Sequence, residues 1–289
     1  MKAAPVRYVR PKSLDEAVAL LEKFGMDARV LAGGQSLMPM LALRVASVSV
    51  LVDIGRLAGL RGVSLEGGWL RIGALTRHSE VLGDPAVAKH APLLKQAIPH
   101  VAHPAIRNRG TFGGSLALAD PAAELPACTL AMDAVMEIVG RGGSREVPAR
   151  EFFKGLYSTA IGEQEILTSV RLPVSIPSDR VFFDEVSRRS GDYAMAGLAA
   201  VAKADGQVRM VYLGCGDRPV RAPKLEALMS ASLSGRNSPA LADWRAAAEQ
   251  DLDPATDLQA SRLTRLHLAA VLAERAQRSF NTYSEALQS

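Results

Sequence analysis

The spacing of apolar and polar positions changes period several times along this chain. Residues 13 to 16 read S-L-D-E, a capping box, and Leu14, Val18, Leu21 and Phe24 then share one helical stripe that Gly25 would end. Ala28 to Ala32 and Val48 to Ile54 are short apolar runs expected as strands, which gives a β-α-β-like unit. Val63 to Leu75 alternates around Gly67 and Gly68, as a tight hairpin does. Thr76 can cap a short helix with Ser79 and Glu80 in its first turn. Pro85 to Ile98 and Pro121 to Met132 return to helical spacing, with Pro126 marking a kink or restart. Between them, residues 107 to 118, RNRGTFGGSLAL, follow no useful period. Strands are expected at Ala134 to Val139 and Ile166 to Leu172.

The stretch PVSIPSD, residues 173 to 179, clusters proline, serine and aspartate and reads as a domain boundary. Beyond it, Val181 to Ser187, Ala194 to Ala204 and Gln207 to Leu213 are strand candidates, with Asp205-Gly206 as a hairpin turn. Helices are expected over about 221–230, 239–250 and 260–279, so the last part reads as an α+β domain with an antiparallel sheet.

Composition narrows the function classes. The chain has 289 residues, 48% of them hydrophobic, enough for a full core divided into two or three domains. Its 34 basic and 30 acidic side chains are scattered and only 5% of residues are aromatic, so no nucleic-acid partner is expected. Cys128 and Cys215 are the only cysteines, too few for an iron–sulfur or zinc centre built from this chain, since such centres take about four ligands. They read as buried thiols in a reducing compartment. The start lacks the apolar stretch of a secretory signal, and no run reaches the length of a membrane span. A cytoplasmic protein without a transmembrane segment is expected.

Two glycine motifs carry the candidate chemistry. Ala32, Gly33, Gly34, Gln35 and Ser36 follow a strand; bare backbone there permits close approach and a nest of N–H groups for an anion, with Gln35 and Ser36 adding side-chain donors. The spacing is neither that of a dinucleotide fingerprint nor of a P-loop. Thr111, Gly113, Gly114 and Ser115 repeat the pattern, with Asp120 and Glu124 just beyond as acceptors for ribose or ribityl hydroxyls. Each loop alone also reads as a plain glycine turn; two of them suggest one elongated ligand with its diphosphate at the junction of two subdomains. Arg107 and Arg109 add only slightly to an anion reading. His100 and His103, beside Pro99 and Pro104, read as a turn or interface pair in preference to metal ligands.

On these residues the chain resembles the FAD-binding medium subunit of the molybdenum hydroxylases, the group of aerobic carbon monoxide dehydrogenase and xanthine dehydrogenase. Ala32 to Ser36 meet that family's A-G-G-x-S motif, Thr111 to Gly114 its T-I-G-G motif, and the segments Ile106 to Pro126 and Arg188 to Met195 are close to its pattern. The resemblance implies an α+β chain with the vanillyl-alcohol-oxidase/peroxidase-type FAD-binding fold. Residues 1–57 and 58–175 would be the two α/β FAD-binding subdomains, and 176–289 a C-terminal antiparallel-sheet and helix domain covering the flavin side. It also implies that both glycine motifs hold the diphosphate, that Asp120 and Glu124 lie near the sugar hydroxyls, and that Tyr193 lies near the isoalloxazine ring; a core or interface tyrosine is the other reading of Tyr193. The implied role is electron transfer from two [2Fe–2S] clusters of a small iron–sulfur subunit, through FAD, to an external acceptor. A large subunit would hold the molybdopterin cofactor, in a dimer of heterotrimers in the cytoplasm, either free or on the inner face of the membrane through the complex. No catalytic side chain or metal site is expected on this chain. Gln35 stands where carbon monoxide dehydrogenases often carry histidine, which disfavours carbon monoxide as substrate, and Phe112 replaces isoleucine. A stand-alone FAD oxidoreductase and a non-enzymatic nucleotide-binding scaffold remain as alternatives.

Overall fold

A computed structural model describes residues 3–288 of the chain, with side chains as far as Thr282. The N-terminal stripe forms a helix over Leu14–Phe24, started by Ser13, whose Oγ accepts from the Glu16 N–H at 3.1 Å. This helix joins β1 (Arg7–Val9) to β2 (Ala28–Leu31), and a short helix Leu37–Ala42 follows before β3 (Val50–Asp53). The three strands are parallel in the order β1-β3-β2. Their core sets Ala17, Val18 and Leu21 of the helix against Val50, Val52 and Ile54.

The middle of the chain supplies β4 (Val63–Glu66), β5 (Trp69–Gly73), β6 (Val135–Gly140), β7 (Gly143–Pro148), a small ribbon of β8 (Phe153–Gly155) with β9 (Ser158–Thr159), and β10 (Ile166–Pro173). Five of these make an antiparallel sheet, β4-β5-β10-β6-β7. Gly67 and Gly68 turn the β4–β5 hairpin with φ +55° and +83°, the conformation a two-residue turn needs. Short helices cover the sheet and bury Val81, Leu93, Leu94, Phe112, Leu116 and Leu125 against Leu70, Ile72, Met136 and Val170.

Three local departures from the sequence pattern have physical causes. The expected helix from Pro85 to Ile98 is two helices, Pro85–His90 and Pro92–Ala97. Pro92 lacks an N–H and would clash with the carbonyl four residues earlier, so it restarts the helix at its own first position. The helix after Pro121 begins only at Glu124, which puts Pro126 in its first turn, where its missing N–H costs little. The aperiodic stretch contains a helix, Phe112–Leu118, despite two glycines, because Thr111 caps it by accepting from Gly114 N at 3.2 Å.

The last part is an antiparallel meander of β11 (Arg180–Val186), β12 (Ala196–Ala202), β13 (Val208–Leu213) and β14 (Val220–Arg221). Helices Pro223–Leu233, Leu241–Asp251 and Arg262–Gln288 follow. Every residue of β12 is buried. Its even positions, Ala196, Leu198, Ala200 and Ala202, pack with these helices, while Ala199 and Val201 join the core of the middle sheet. The sheet is thus covered on both faces, which explains a strand with no polar alternation. Among the described residues no helix is long and apolar enough to cross a membrane.

Candidate functional site

The chain leaves the carboxyl end of β2 through Ala32 and Gly33, and Gly34 adopts φ +72° to turn it towards the helix Leu37–Ala42. An added Cβ on Gly33 would lie 2.3 Å from the Arg109 carbonyl oxygen and 2.9 Å from Gly110 Cα. The first glycine loop therefore touches the backbone just before the second. Gln35 donates from Nε2 to the Gly33 carbonyl at 3.1 Å, which stiffens the turn. Ser36 precedes the helix without capping it and is exposed. Among the described residues the backbone N–H groups of Gly34, Gln35 and Ser36 have no protein acceptor. Three successive free donors on a glycine turn suit an anion.

The second loop differs. Phe112 N donates to the Thr76 carbonyl at 2.8 Å, Gly113 N to Ala74 at 2.9 Å, Gly114 N to Thr111 Oγ1 and Ser115 N to the Thr111 carbonyl at 3.1 Å. Its backbone donors are engaged within the protein, so what it could offer a ligand is close approach together with the Ser115 hydroxyl. Gly113 has no room for a side chain: a Cβ would sit 2.4 Å from Ala74 Cβ and 2.9 Å from its carbonyl oxygen. Gly113→Ala is expected to lower the stability measured by urea unfolding by at least the ~1–3 kcal/mol typical of overpacking, with part recovered by adding Ala74→Gly.

His78, which the sequence pattern did not single out, braces this loop. It is 5% exposed, its backbone N–H donates to the Gly110 carbonyl at 3.1 Å, and its Nε2 lies 3.0 Å from the Thr111 carbonyl. A carbonyl only accepts, so Nε2 carries the proton and the buried Nδ1 is a bare acceptor without a partner. Burial pulls the imidazole down from 6.5 to about 4. Between those values the unfolded chain takes up a proton that the folded chain refuses, so stability is complete above about 6.5 and falls as pH drops towards 4. The expected loss is on the order of 3 kcal/mol, read as urea midpoints against pH, and His78→Gln should flatten that limb.

Asp120 is buried, accepts from Ala122 N at 2.9 Å, and receives the Tyr157 hydroxyl at 3.3 Å. Glu124 opens its helix one turn away and is partly buried. Tyr193 lies on the loop between β11 and β12, 61% exposed, and its phenol is pushed up by partial burial and then by the charges of Asp120 and Glu124. Tyr193 thus comes from a different part of the chain than Asp120 and Glu124, whose charges reach it. Arg265, buried, fixes the loop's end by donating to the carbonyls of Met195 and Gly214 and pairing with Asp257 at 2.7 Å. Arg107 is spent on the carbonyls of Pro99, Val101 and Ala102. Arg109 keeps an exposed side chain beside the seam of the two loops. His100 pairs with Glu185 at 3.6 Å, and His103 lies against Gly191. Among the described residues no three potential ligands gather around a metal position.

Residues 4–175 match the family model described as FAD binding domain in molybdopterin dehydrogenase, and residues 181–280 match the CO dehydrogenase flavoprotein C-terminal domain. The 6-hydroxypseudooxynicotine dehydrogenase complex subunit alpha of Paenarthrobacter nicotinovorans is 38% identical over 281 residues, covering 95% of this chain and 94% of that one. The solved carbon monoxide dehydrogenase from Hydrogenophaga pseudoflava that lacks the Mo-pyranopterin moiety of its molybdenum cofactor superposes with TM-score 0.91 at 34% identity, over 98% of this chain and 99% of that chain. Quinoline 2-oxidoreductase from Pseudomonas putida 86 superposes with TM-score 0.87 at 36% identity, over 99% of each chain.

Proposed function

Because this chain belongs to the FAD-binding medium subunits of the molybdenum hydroxylase family, we propose that it binds FAD across the seam of its two glycine loops and serves as the electron-transfer subunit of a larger oxidoreductase. The observation that supports this most is the seam itself: Gly33 lies on the Arg109–Gly110 backbone, and the free N–H groups of Gly34, Gln35 and Ser36 stand next to it. A diphosphate fits such a cradle, since it needs donors and cannot share space with a Cβ. When bound, FAD supplies the exchange between one-electron and two-electron carriers that side chains cannot provide.

The chain's own residues bind and orient. Ala32 to Ser36 hold the diphosphate through backbone donors. Gly113 and Gly114 keep the second loop close, Thr111 sets the start of its helix, and Ser115 offers a hydroxyl. Asp120 and Glu124 hydrogen-bond to sugar hydroxyls, and Tyr193 covers the ring from the third sheet. Residues 1–57 and 58–175 form the two halves of the cofactor site, and 176–289 close it.

A small subunit with two [2Fe–2S] clusters delivers electrons, a large subunit with the molybdopterin cofactor oxidises the substrate, and the acceptor is external; the assembly is a dimer of heterotrimers. A relative that is a subunit of a dehydrogenase complex, and a solved relative whose molybdenum cofactor lacks its Mo-pyranopterin moiety, support this division. So do Cys128 and Cys215, both free and buried, which suit a partner that brings the clusters and a reducing compartment such as the cytoplasm. The test is capture of the tagged chain from its host. A flavin absorption band, iron, molybdenum and two further chains are expected. Flavin without partners would favour a stand-alone oxidoreductase, and a colourless chain that takes up no added FAD would overturn the reading.

A further inference from the structure

Residues 187–195, between β11 and β12, carry Tyr193 and form neither helix nor strand. Such a loop keeps one place only where groups outside it hold its backbone or side chains. Both of its ends run to one short stretch of the last domain, the turn 257–260 that precedes the helix Arg262–Gln288. At the first end Arg188, exposed, donates from Nη2 to the carbonyls of Leu258 and Gln259, both at 2.9 Å. At the second, Arg265 donates from Nη1 to the Met195 carbonyl and from Nη2 to Asp257 at 2.7 Å. Asp257 also shapes the turn. Its Oδ1 accepts from Gln259 N at 2.8 Å and Ala260 N at 3.0 Å, and its own N–H donates to the Ala260 carbonyl at 3.1 Å. The tip of the loop leans on the middle of the chain, where a Cβ on Gly191 would lie 2.5 Å from His103 Cε1.

Arg265 ties a third piece to this frame. Its Nη1 also donates to the Gly214 carbonyl at 3.0 Å, and Gly214 N donates to the Pro121 carbonyl at 2.8 Å. Pro121 follows Asp120, so one buried guanidinium sets the end of the Tyr193 loop and the Asp120 segment in register. Glycine is needed at the junction: Gly214 has φ +71°, and a Cβ there would stand 2.9 Å from the Met195 carbonyl oxygen. A guanidinium cannot shed its charge, so its burial is tolerated only with these acceptors and Asp257 in place. We propose that Asp257, Arg265 and Arg188 are positioning residues for Tyr193: they clamp both ends of its loop to the turn 257–260 and fix it relative to Asp120. What the clamp does for a flavin ring rests on the reading above; the clamp itself belongs to the chain alone.

The test reads hydrogen exchange of residues 187–195 by mass spectrometry in the purified full chain, and flavin emission with FAD at saturation. Asp257→Asn keeps an acceptor for the turn but removes the charge facing Arg265. Exchange is expected to rise about tenfold, as the loss of one charge-assisted hydrogen bond requires. Arg188→Met, at an exposed side chain, puts folding at little risk and should raise exchange several-fold; Arg188→Lys keeps a donor and should retain most of the protection. Arg245→Met, which breaks an exposed ion pair with Glu249 in the same domain, should leave it unmoved. A tyrosine against the isoalloxazine ring quenches its emission. Asp257→Asn and Arg188→Met should therefore brighten bound FAD towards the level of Tyr193→Ala, while affinity for ADP, set at the glycine seam, stays that of the wild type. Unchanged exchange in folded Arg188→Met and Asp257→Asn would overturn the proposal, as would an equal rise in Arg245→Met or a bright Tyr193→Ala beside clamp variants that stay dim. If exchange rises as expected but FAD does not bind, or Tyr193→Ala is no brighter than the wild type, the flavin reading of Tyr193 fails and the clamp stands.

Discussion

Gly33→Ala is expected to weaken FAD binding by about a hundredfold or more, the equivalent of about 3 kcal/mol. The alanine Cβ would stand 2.3 Å from the Arg109 carbonyl oxygen, 2.9 Å from Gly110 Cα and 3.1 Å from the Arg109 carbonyl carbon. These neighbours are backbone atoms, and no rotamer change relieves them. The Arg109–Gly110 turn is itself tied down: Gly110 N donates to Ile106 at 2.7 Å, and the Gly110 carbonyl accepts from His78 N. The variant must therefore part the two loops, and the free donors at 34–36 then lose their place beside the second motif. Gly34→Ala is the comparison. It is strained by its φ of +72°, but the atoms its Cβ meets, at 3.2 and 3.3 Å, are the side chains of Met38 and Leu31, which can move. Its expected cost is smaller, about 1 kcal/mol. Calorimetric or fluorescence titration with FAD checks both. Unchanged affinity in a folded Gly33→Ala chain would mean that the diphosphate lies elsewhere.

Much of this fold is legible because its elements are locally consistent. The S-L-D-E cap, the Gly67-Gly68 hairpin and the apolar run of β12 each mark an element from a few adjacent residues. The edge strand β7 is not legible: four of its six residues are exposed, so burial imposes no alternation on it. The helix Phe112–Leu118 is hidden by two glycines of poor helix propensity; it exists because Thr111 caps it and Phe112 and Leu116 are buried. The same division holds at the site. Both glycine motifs are visible as motifs, but their seam is a contact between residues far apart in the chain, and spacing cannot report it. Tyr157 reaches Asp120 across 37 positions, and His100 meets Glu185 from another sheet. His78 carries no motif at all; only its burial under Thr111 discloses a role.

Glu124 makes the protein less stable as the medium turns alkaline, and Glu124→Gln should remove that dependence. The group's ordinary value of 4.5 applies to the unfolded chain, whereas burial and then the charge of Glu185 push it up to about 8 in the folded one. Below about 4.5 both states hold the proton and nothing is lost. Between 4.5 and about 8 the unfolded chain has released a proton that the folded chain keeps, so rising pH favours unfolding throughout that window and the loss is complete above it. Solvent reaches part of Glu124, so the expected loss is on the order of 2 kcal/mol. Glutamine has no proton to release and nearly the same shape. The variant should match the wild type at the acid end and exceed it above neutrality, read as unfolding midpoints at several pH values. His78 sets the opposite slope below about 6.5, so the combined profile of the wild type should peak in the mildly acidic range, where neither burden is fully felt. Parallel profiles for the wild type and Glu124→Gln would show that Glu124 ionises freely in the folded chain.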